Sequence, residues 1–260
     1  MPRLADPQLI RARLETDRAW TAFALADLDP PYAPFAAWFG PANSHQTLGL
    51  VYSAFARPLV VYTGPAEGGA AVFDEMDIAL GASADAHIVV KPELLPTVVA
   101  HYHTYEARPM VRMVLDLGRR RGLASEALVA RLGPDDLESV QALYAEAPPE
   151  FFFPAQLGQG CYYGVREEGA IIAIAGTHVV SAASRVAAIG NVHTRSDRRG
   201  RGLATAVTSA VTRELLRTGV STIVLNVRDD NDQARRVYER LGYAEYCRYY
   251  EGIATRRLTR

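Results

Sequence analysis

The chain has 260 residues, 49% hydrophobic and 22% charged, with a formal net charge of −1. That length suits one large domain or two small ones, and the composition excludes a disordered chain, a collagen-like repeat or a disulfide-stapled miniprotein. The near-neutral balance argues against a general nucleic-acid binder.

No apolar run approaches the roughly 20 residues of a membrane-spanning helix. The opening residues lack the apolar core of a signal peptide. Cys161 and Cys247 are too far apart for a zinc pattern and suggest no disulfide framework. A reduced, cytoplasmic protein is expected, with no metal, no membrane partner and a monomeric or homodimeric state. Lys91 is the only lysine among the 28 basic residues, so lysines are not a family of surface nucleophiles here.

Apolar spacing predicts a helix over 9–28, stopped by Pro30-Pro31, which restrain the preceding residue and lack amide donors. Strands are predicted over 47–55 and 58–63, a helix over 70–80, a strand over 87–90, a helix over 92–105 and a strand over 109–117. Gly118-Arg119-Arg120-Arg121-Gly122 then sets three like charges between glycines, suited equally to a domain boundary and to a solvated turn. We divide the chain there: residues 1–120 form an α/β domain with no recognisable chemical motif, and residues 121–260 a second domain.

The second half begins with a strand over 126–131. Gly133-Pro134-Asp135-Asp136 opens a helix, its acids facing the positive end of the dipole and Leu137, Val140, Leu143 and Tyr144 forming its apolar face. A short helix over 150–157 follows. Strands over 161–166 and 171–180 flank Glu167-Glu168-Gly169 as a hairpin. The remainder reads as a strand over 186–194, a helix over 203–216, a strand over 222–227, a helix over 232–241 and an aromatic strand over 243–250. His101 and His103, placed two apart on a helix, point to different sides and cannot readily share a metal.

The chemistry concentrates between Asn191 and Thr205. A strand ends, an arginine-rich loop follows, and Gly200 and Gly202 lead into a helix. The first amides of a helix have no internal partners and sit at its positive pole, a ready site for a diphosphate. The arginines Arg195, Arg198, Arg199 and Arg201 would repel one another without an anion. A dinucleotide-binding turn would need a third glycine where Thr205 stands, and a nucleotide triphosphate loop would need Gly-Lys-Ser/Thr. Downstream, Asn231 suits an N-cap, Ala234, Val237, Tyr238 and Leu241 share a helical face, and Gly242 can end the helix.

The Arg198-Arg199-Gly200-Arg201-Gly202-Leu203-Ala204 turn resembles the acyl-CoA signature Gln/Arg-x-x-Gly-x-Gly/Ala of the GNAT superfamily of N-acetyltransferases. Its first position is Asp197, and Ser196 stands where the family often has proline. The segment from Asn231 to Tyr243 is similar to the family's Asn-x-x-Ala-x-x-x-Tyr-x-x-x-Gly-Phe/Tyr motif. The likeness spans about residues 128–252 and is nearest to uncharacterised bacterial members with an additional N-terminal domain.

This resemblance implies a mixed α/β (α+β) fold, with a mostly antiparallel sheet flanked by helices. The order of elements, as in some tandem members, suggests residues 1–117 as a degenerate second copy. It implies direct acyl transfer from acetyl-CoA or another acyl-CoA to a primary amine of a small molecule, amino acid or peptide. Strands 186–194 and 222–227 would splay to admit the pantetheine arm. Asn191, Val192, His193 and Thr194 would bind that arm; Arg199, Gly200, Arg201, Gly202, Leu203, Ala204 and Thr205 would hold the pyrophosphate. Asn226 would lie at the splay, with Asn231 and Tyr238 near the cofactor. Tyr238 would be the general acid, with His193, His178, Glu146 and Glu150 as candidate bases beside a water chain. The competing reading is a non-catalytic acyl-CoA-binding regulatory module, from which the presence of Tyr238 argues away.

Overall fold

A computed structural model of the chain describes residues 3–41, 44–81, 83, 85–119 and 129–256. The expected boundary at 120/121 and the first half of the strand expected over 126–131 lie outside them. The chain divides into two compact units, Met1–Arg112 with Cys247–Arg260, and Met113–Tyr246.

The first unit contains β1 (Arg3–Leu4), α1 (Pro7–Leu14), α2 (Ala22–Ala26), β2 (Ala36–Phe39), β3 (Leu48–Tyr52), β4 (Leu59–Thr63), α3 (Gly69–Leu80), β5 (Asp85–Val90), α4 (Leu95–His101) and most of β6 (Tyr102–Leu115). The second contains β7 (Val129–Leu132), α5 (Leu137–Tyr144), α6 (Gln156–Gln159), β8 (Tyr162–Glu167), β9 (Ala170–Ser181), β10 (Val186–Thr194), α7 (Leu203–Arg217), β11 (Thr222–Arg228), α8 (Asp232–Arg240) and the start of β12 (Tyr243–Arg256). From Cys247 onward β12 belongs to the first unit, where Tyr250 to Thr255 pair antiparallel with β5.

The fold is mixed α/β with mostly antiparallel pairing, and the two units repeat one topology. In the first, β1-β2-β3-β4 are antiparallel neighbours and β4 pairs with β5 in parallel. In the second, β7-β8-β9-β10 are antiparallel and β10 pairs with β11 in parallel. Two helices separate the first two strands of each unit and one helix, α3 or α7, crosses between the parallel pair.

Three predicted elements differ from the structure. The helix expected over 9–28 is two helices, because Asp17 Oδ1 accepts the Trp20 N–H and the Thr21 hydroxyl donates to the Leu14 carbonyl, turning the chain between them. The helix expected over 92–105 stops at His101, and the aromatic run that follows is strand: Tyr102 is buried with its hydroxyl on Asp77 at 2.9 Å. His101 and His103 therefore do not share a helix. The helix expected over 150–157 is a turn, with helix only at Gln156–Gln159, after Pro154.

The second unit's core joins Val140, Leu143 and Tyr144 of α5 to Tyr162 of β8 and Ile171 and Ile174 of β9, all buried. Tyr162 fills this core so closely that a Cβ on Gly176 would lie 2.1 Å from its ring. The ring cannot swing away, since its hydroxyl donates to the Thr177 carbonyl at 3.1 Å and accepts from Asn191 at 2.8 Å. Gly176→Ala should therefore destabilise the protein by about 1–3 kcal/mol, the usual cost of overpacking; urea denaturation measures it, and an unchanged midpoint would contradict the packing described.

Candidate active site

The second unit's parallel pair holds the site. β10 and β11 pair from Val186↔Thr222 to Ile189↔Leu225. Beyond those residues β10 runs on to Thr194 and β11 to Arg228, and the two strands part. On its other edge β10 slips register against β9. Gly190 faces Gly176 and His193 faces Ile174, so one extra residue is absorbed on β10 where the strands part.

Asn191 sits in that bulge at φ +54°, a conformation asparagine adopts more readily than most residues. Its side chain is 8% exposed and held by its neighbours: Nδ2 donates to the Tyr162 hydroxyl at 2.8 Å and to Gln156 Oε1 at 3.3 Å. The Tyr144 hydroxyl donates to the Asn191 carbonyl at 2.7 Å. These bonds pin the bulge and so aim the backbone of Val192, His193 and Thr194, all half-buried. Thr194 Oγ1 is buried without a hydrogen-bond partner among the described residues. Asn226 follows Leu225, the last residue of β11 that pairs with β10. Sequence reasoning missed Tyr144, Tyr162 and Gln156, whose role depends on contacts between elements far apart in the chain.

The turn from β10 into α7 places Gly200 and Gly202 at φ +77°. No atom lies within 4 Å of a Cβ at either position, so the glycines serve backbone conformation rather than space. Gly202 caps α7 in the left-handed conformation with no side-chain bond. The amides of Leu203, Ala204 and Thr205 begin the helix, and its first turn is closed only when the Ala206 N–H meets the Gly202 carbonyl at 3.1 Å.

The expectation that the four arginines repel one another without an anion is not met, because the fold brings carboxylates to three of them. The β8–β9 hairpin, with Glu168 and Gly169 at positive φ, carries Glu167 to the turn. Glu167 pairs with Arg198, lies 3.3 Å from Arg201 and 3.9 Å from Arg195, and its pKa is held below the usual range by Arg198 and then Arg201. Asp197 bonds Arg195 and Arg198 at 2.6 Å each. Arg199 differs. It is exposed, its Nε donates to the Thr194 carbonyl at 3.3 Å, and among the described residues no carboxylate pairs with it. The turn thus offers one uncommitted cation beside an uncapped helix start, a fit for a phosphate-bearing ligand.

Downstream, Asn231 caps α8, its Oδ1 accepting the Ala234 N–H at 3.0 Å. Tyr238 is 7% exposed, and its ring meets Tyr243 edge-on at 6.3 Å. Among the described residues its hydroxyl has no hydrogen-bond partner. Burial pushes its pKa up to about 12, so it keeps its proton at any working pH. Tyr243 is engaged elsewhere, its hydroxyl 2.8 Å from Thr212 Oγ1.

The candidate bases separate by environment. His193 lies edge-on to Tyr144 at 6.1 Å, and its Nε2 stands 3.6 Å from Glu146, an ion-pair approach rather than a hydrogen bond. Burial lowers the His193 pKa, Glu146 opposes that shift and Arg199 adds to it. Glu146 accepts from the Ser196 N–H at 3.0 Å and from the Ser196 hydroxyl at 3.3 Å, bonds that hold its pKa low and fix it to the turn. His178 is the extra residue of a second slip, between Val179 and Thr177 on β9. Its ring lies over Gly190, where a Cβ would be 1.9 Å from Nε2, and burial pushes its pKa down to about 4. Glu150 lies exposed on the turn before α6 rather than on a helix.

A cleft of about 260 Å³ borders Glu146 and Arg195 but includes neither the parted strands nor Tyr238. Cys161 is buried in strand surroundings that push its thiol up to about 11, the wrong direction for a nucleophile. Among the described residues no group of three or more His, Cys, Asp or Glu is placed to hold a metal ion, and no helix is long and apolar enough to cross a membrane.

The first unit repeats the topology without this chemistry. Its β3–β4 register is unbroken, and the turn from β4 to α3 carries Glu67 and no arginine.

Residues 125–243 match the family model of GNAT-family acetyltransferases. Among solved structures, a candidate acetyltransferase of the GNAT family from Novosphingobium aromaticivorans is 18% identical, with a TM-score of 0.63 over 97% of this chain and 100% of that one. A tandem GNAT protein from the clavulanic acid biosynthesis pathway is 15% identical, with a TM-score of 0.63 over 98% of this chain and 95% of that one. A Drosophila protein is also 15% identical, with a TM-score of 0.70 over 98% and 97%. At these identities the likeness is one of fold.

Proposed function

From the GNAT acetyltransferase domain at residues 125–243, we infer that the protein carries an acyl group from acetyl-CoA, or another acyl-CoA, directly to a primary amine of a small molecule, amino acid or peptide. The family supplies acyl-CoA-dependent acyl transfer; the amine acceptor and the residue roles are our reading. The observation that carries it is the coincidence of the bulge at Asn191 with the parting of β10 and β11, directly before a turn whose Arg199 lacks a carboxylate.

When bound, acyl-CoA supplies the thioester whose acyl group is transferred. Arg199 and the backbone from Gly200 to Thr205 would hold its diphosphate, Asn191 to Thr194 would receive the arm along the open strand edge, and Asn226 and Asn231 would flank it. A backbone amide of this stretch, fixed by the bulge, would donate to the carbonyl oxygen as negative charge builds there. Tyr238 would give its proton to the departing sulfur. A free thiol has a pKa of about 8.5, so this transfer needs a poorly hydrated thiolate, and the burial that raises Tyr238 supplies such surroundings.

His193 is our base. Burial holds its pKa below the ordinary histidine value, which favours the proton-accepting form, and Glu146 stands where it would stabilise the imidazolium. His178, pushed down to about 4, accepts a proton less readily. A base works only when deprotonated, so kcat/KM should fall as pH drops through its pKa, here below the ordinary histidine value of about 6.5. We expect that acidic limb in the native enzyme and in His178→Ala, and its loss in His193→Ala. A limb retained in His193→Ala would remove His193 from the role and leave Glu146, Glu150 or a water.

A regulatory module that binds acyl-CoA without turnover would need neither Tyr238 nor a base. Release of free thiol from acetyl-CoA across a panel of amines separates the two readings: amine-dependent release supports catalysis, and binding with no release from any amine supports the module.

A further inference from the structure

Tyr144 ends α5 and is buried, and its hydroxyl reaches the parted end of β10, where it donates to the Asn191 carbonyl at 2.7 Å. Burial and then the neighbouring Tyr162 hold this phenol above its ordinary range, so the proton stays on the oxygen to be donated. The ring has contacts that do not depend on that bond, with Phe152 at 5.0 Å and His193 at 6.1 Å.

The bonded carbonyl belongs to the peptide that joins Asn191 to Val192. β10 is in register with β9 at Gly190 and again at His193, and its pairing with β11 ends at Ile189. Neither residue of that peptide therefore has a cross-strand partner among the described residues. The peptide is trans, and a trans peptide is planar with its C=O and N–H pointing opposite ways.

Because the carbonyl turns to Tyr144, the Val192 N–H points away from α5. The other face of the sheet carries α7. Leu132 packs in the core with α5, while its strand neighbour Arg131 reaches Glu214 of α7 at 3.3 Å. Tyr238 lies on that side as well, its ring against Tyr243, whose hydroxyl is 2.8 Å from Thr212 of α7.

We propose that Tyr144 is a positioning residue for acyl transfer, its hydroxyl turning and strengthening the Val192 N–H as the donor to the thioester oxygen. Resting on the acyl-transfer reading, this assignment picks one amide out of the stretch from Asn191 to Thr194. A donor on the carbonyl draws charge through the peptide and makes its N–H a better donor, by about 10–30% per bond. Tyr144 itself touches no reacting atom. Its effect grows as negative charge builds on the oxygen, so it belongs to turnover rather than to cofactor affinity.

The test is Tyr144→Phe, which keeps the ring and removes one oxygen. Infrared spectra of bound acetyl-CoA carrying 13C at its carbonyl read the polarity of that bond without turnover. In the native protein the carbonyl band should lie below its position in solution, and in Tyr144→Phe that displacement should shrink. Calorimetric affinity for acetyl-CoA should stay within about twofold while kcat, with the fastest amine of the panel, falls about tenfold, less than the 10²–10³ lost with a whole oxyanion donor. Replacing Tyr144 by 3-fluorotyrosine keeps the bond and makes the phenol a stronger donor, so the band should move the opposite way.

A purely structural hydroxyl predicts no such opposed pair of shifts. A band that moves in neither variant overturns the proposal and leaves acyl transfer standing, as does a fall in kcat matched by an equal loss of affinity. A native protein that binds no acetyl-CoA overturns the acyl-transfer reading, and this assignment with it.

Discussion

Tyr238→Phe should keep acetyl-CoA affinity near that of the native enzyme while turnover falls by about 10²–10⁴-fold, the usual contribution of a positioned general acid. The substitution removes one oxygen and leaves the ring, which meets Tyr243 edge-on in a buried setting. That hydroxyl bonds nothing else among the described residues, so its loss breaks no structural hydrogen bond and the fold should be unaffected. Its pKa of about 12 places the group in its donating form throughout the assay range. Stopped thiol assays with calorimetric titration of acetyl-CoA separate the two parameters. Unchanged turnover would assign the proton to water, and a loss of affinity equal to the loss of rate would assign Tyr238 to binding.

Gly202→Val should weaken acetyl-CoA binding by about tenfold to a hundredfold, the equivalent of 1–3 kcal/mol of backbone strain. The cause is conformation. Gly202 stands at φ +77° with open space where a Cβ would go, so nothing is struck, but a β-branched residue strongly resists that angle. Valine would pull the N-terminus of α7 out of the geometry that presents the amides of Leu203, Ala204 and Thr205. Gly202→Ala should show the same effect at smaller size. Calorimetry giving native affinity for both variants would mean that the turn does not hold the diphosphate.

Much of the second unit was legible because its signals are local. Leu203, Val207, Val211 and Leu215 recur at helical spacing, and α7 covers them. Asn231 three residues before Ala234 reads as a cap and is one. The hairpin at Glu167-Glu168-Gly169 follows from turn chemistry. What escaped the sequence depends on tertiary contacts. The break between α1 and α2 needs Thr21 to reach Leu14 and Asp17 to hold both Trp20 and Lys91, at 2.9 Å to the lysine. Strands as short as β1 and β2 leave no periodicity to detect.

The arginine turn shows the same limit at the site. Four neighbouring positive charges read as an unfilled anion site, yet Glu167, about thirty residues earlier, satisfies part of that charge once β8 and β9 fold back. Only the structure singles out Arg199. The repeated topology was visible in element order, but that the first unit lacks the bulge and the basic turn follows from register and loop content together.

A crystal structure of the protein grown with acetyl-CoA decides where the cofactor sits. It should show diphosphate oxygens on Arg199 and the amides between Gly200 and Thr205, the arm along β10 past Asn191, and the sulfur within hydrogen-bond reach of the Tyr238 hydroxyl. Diphosphate bound away from that turn, or sulfur remote from Tyr238, would contradict that placement.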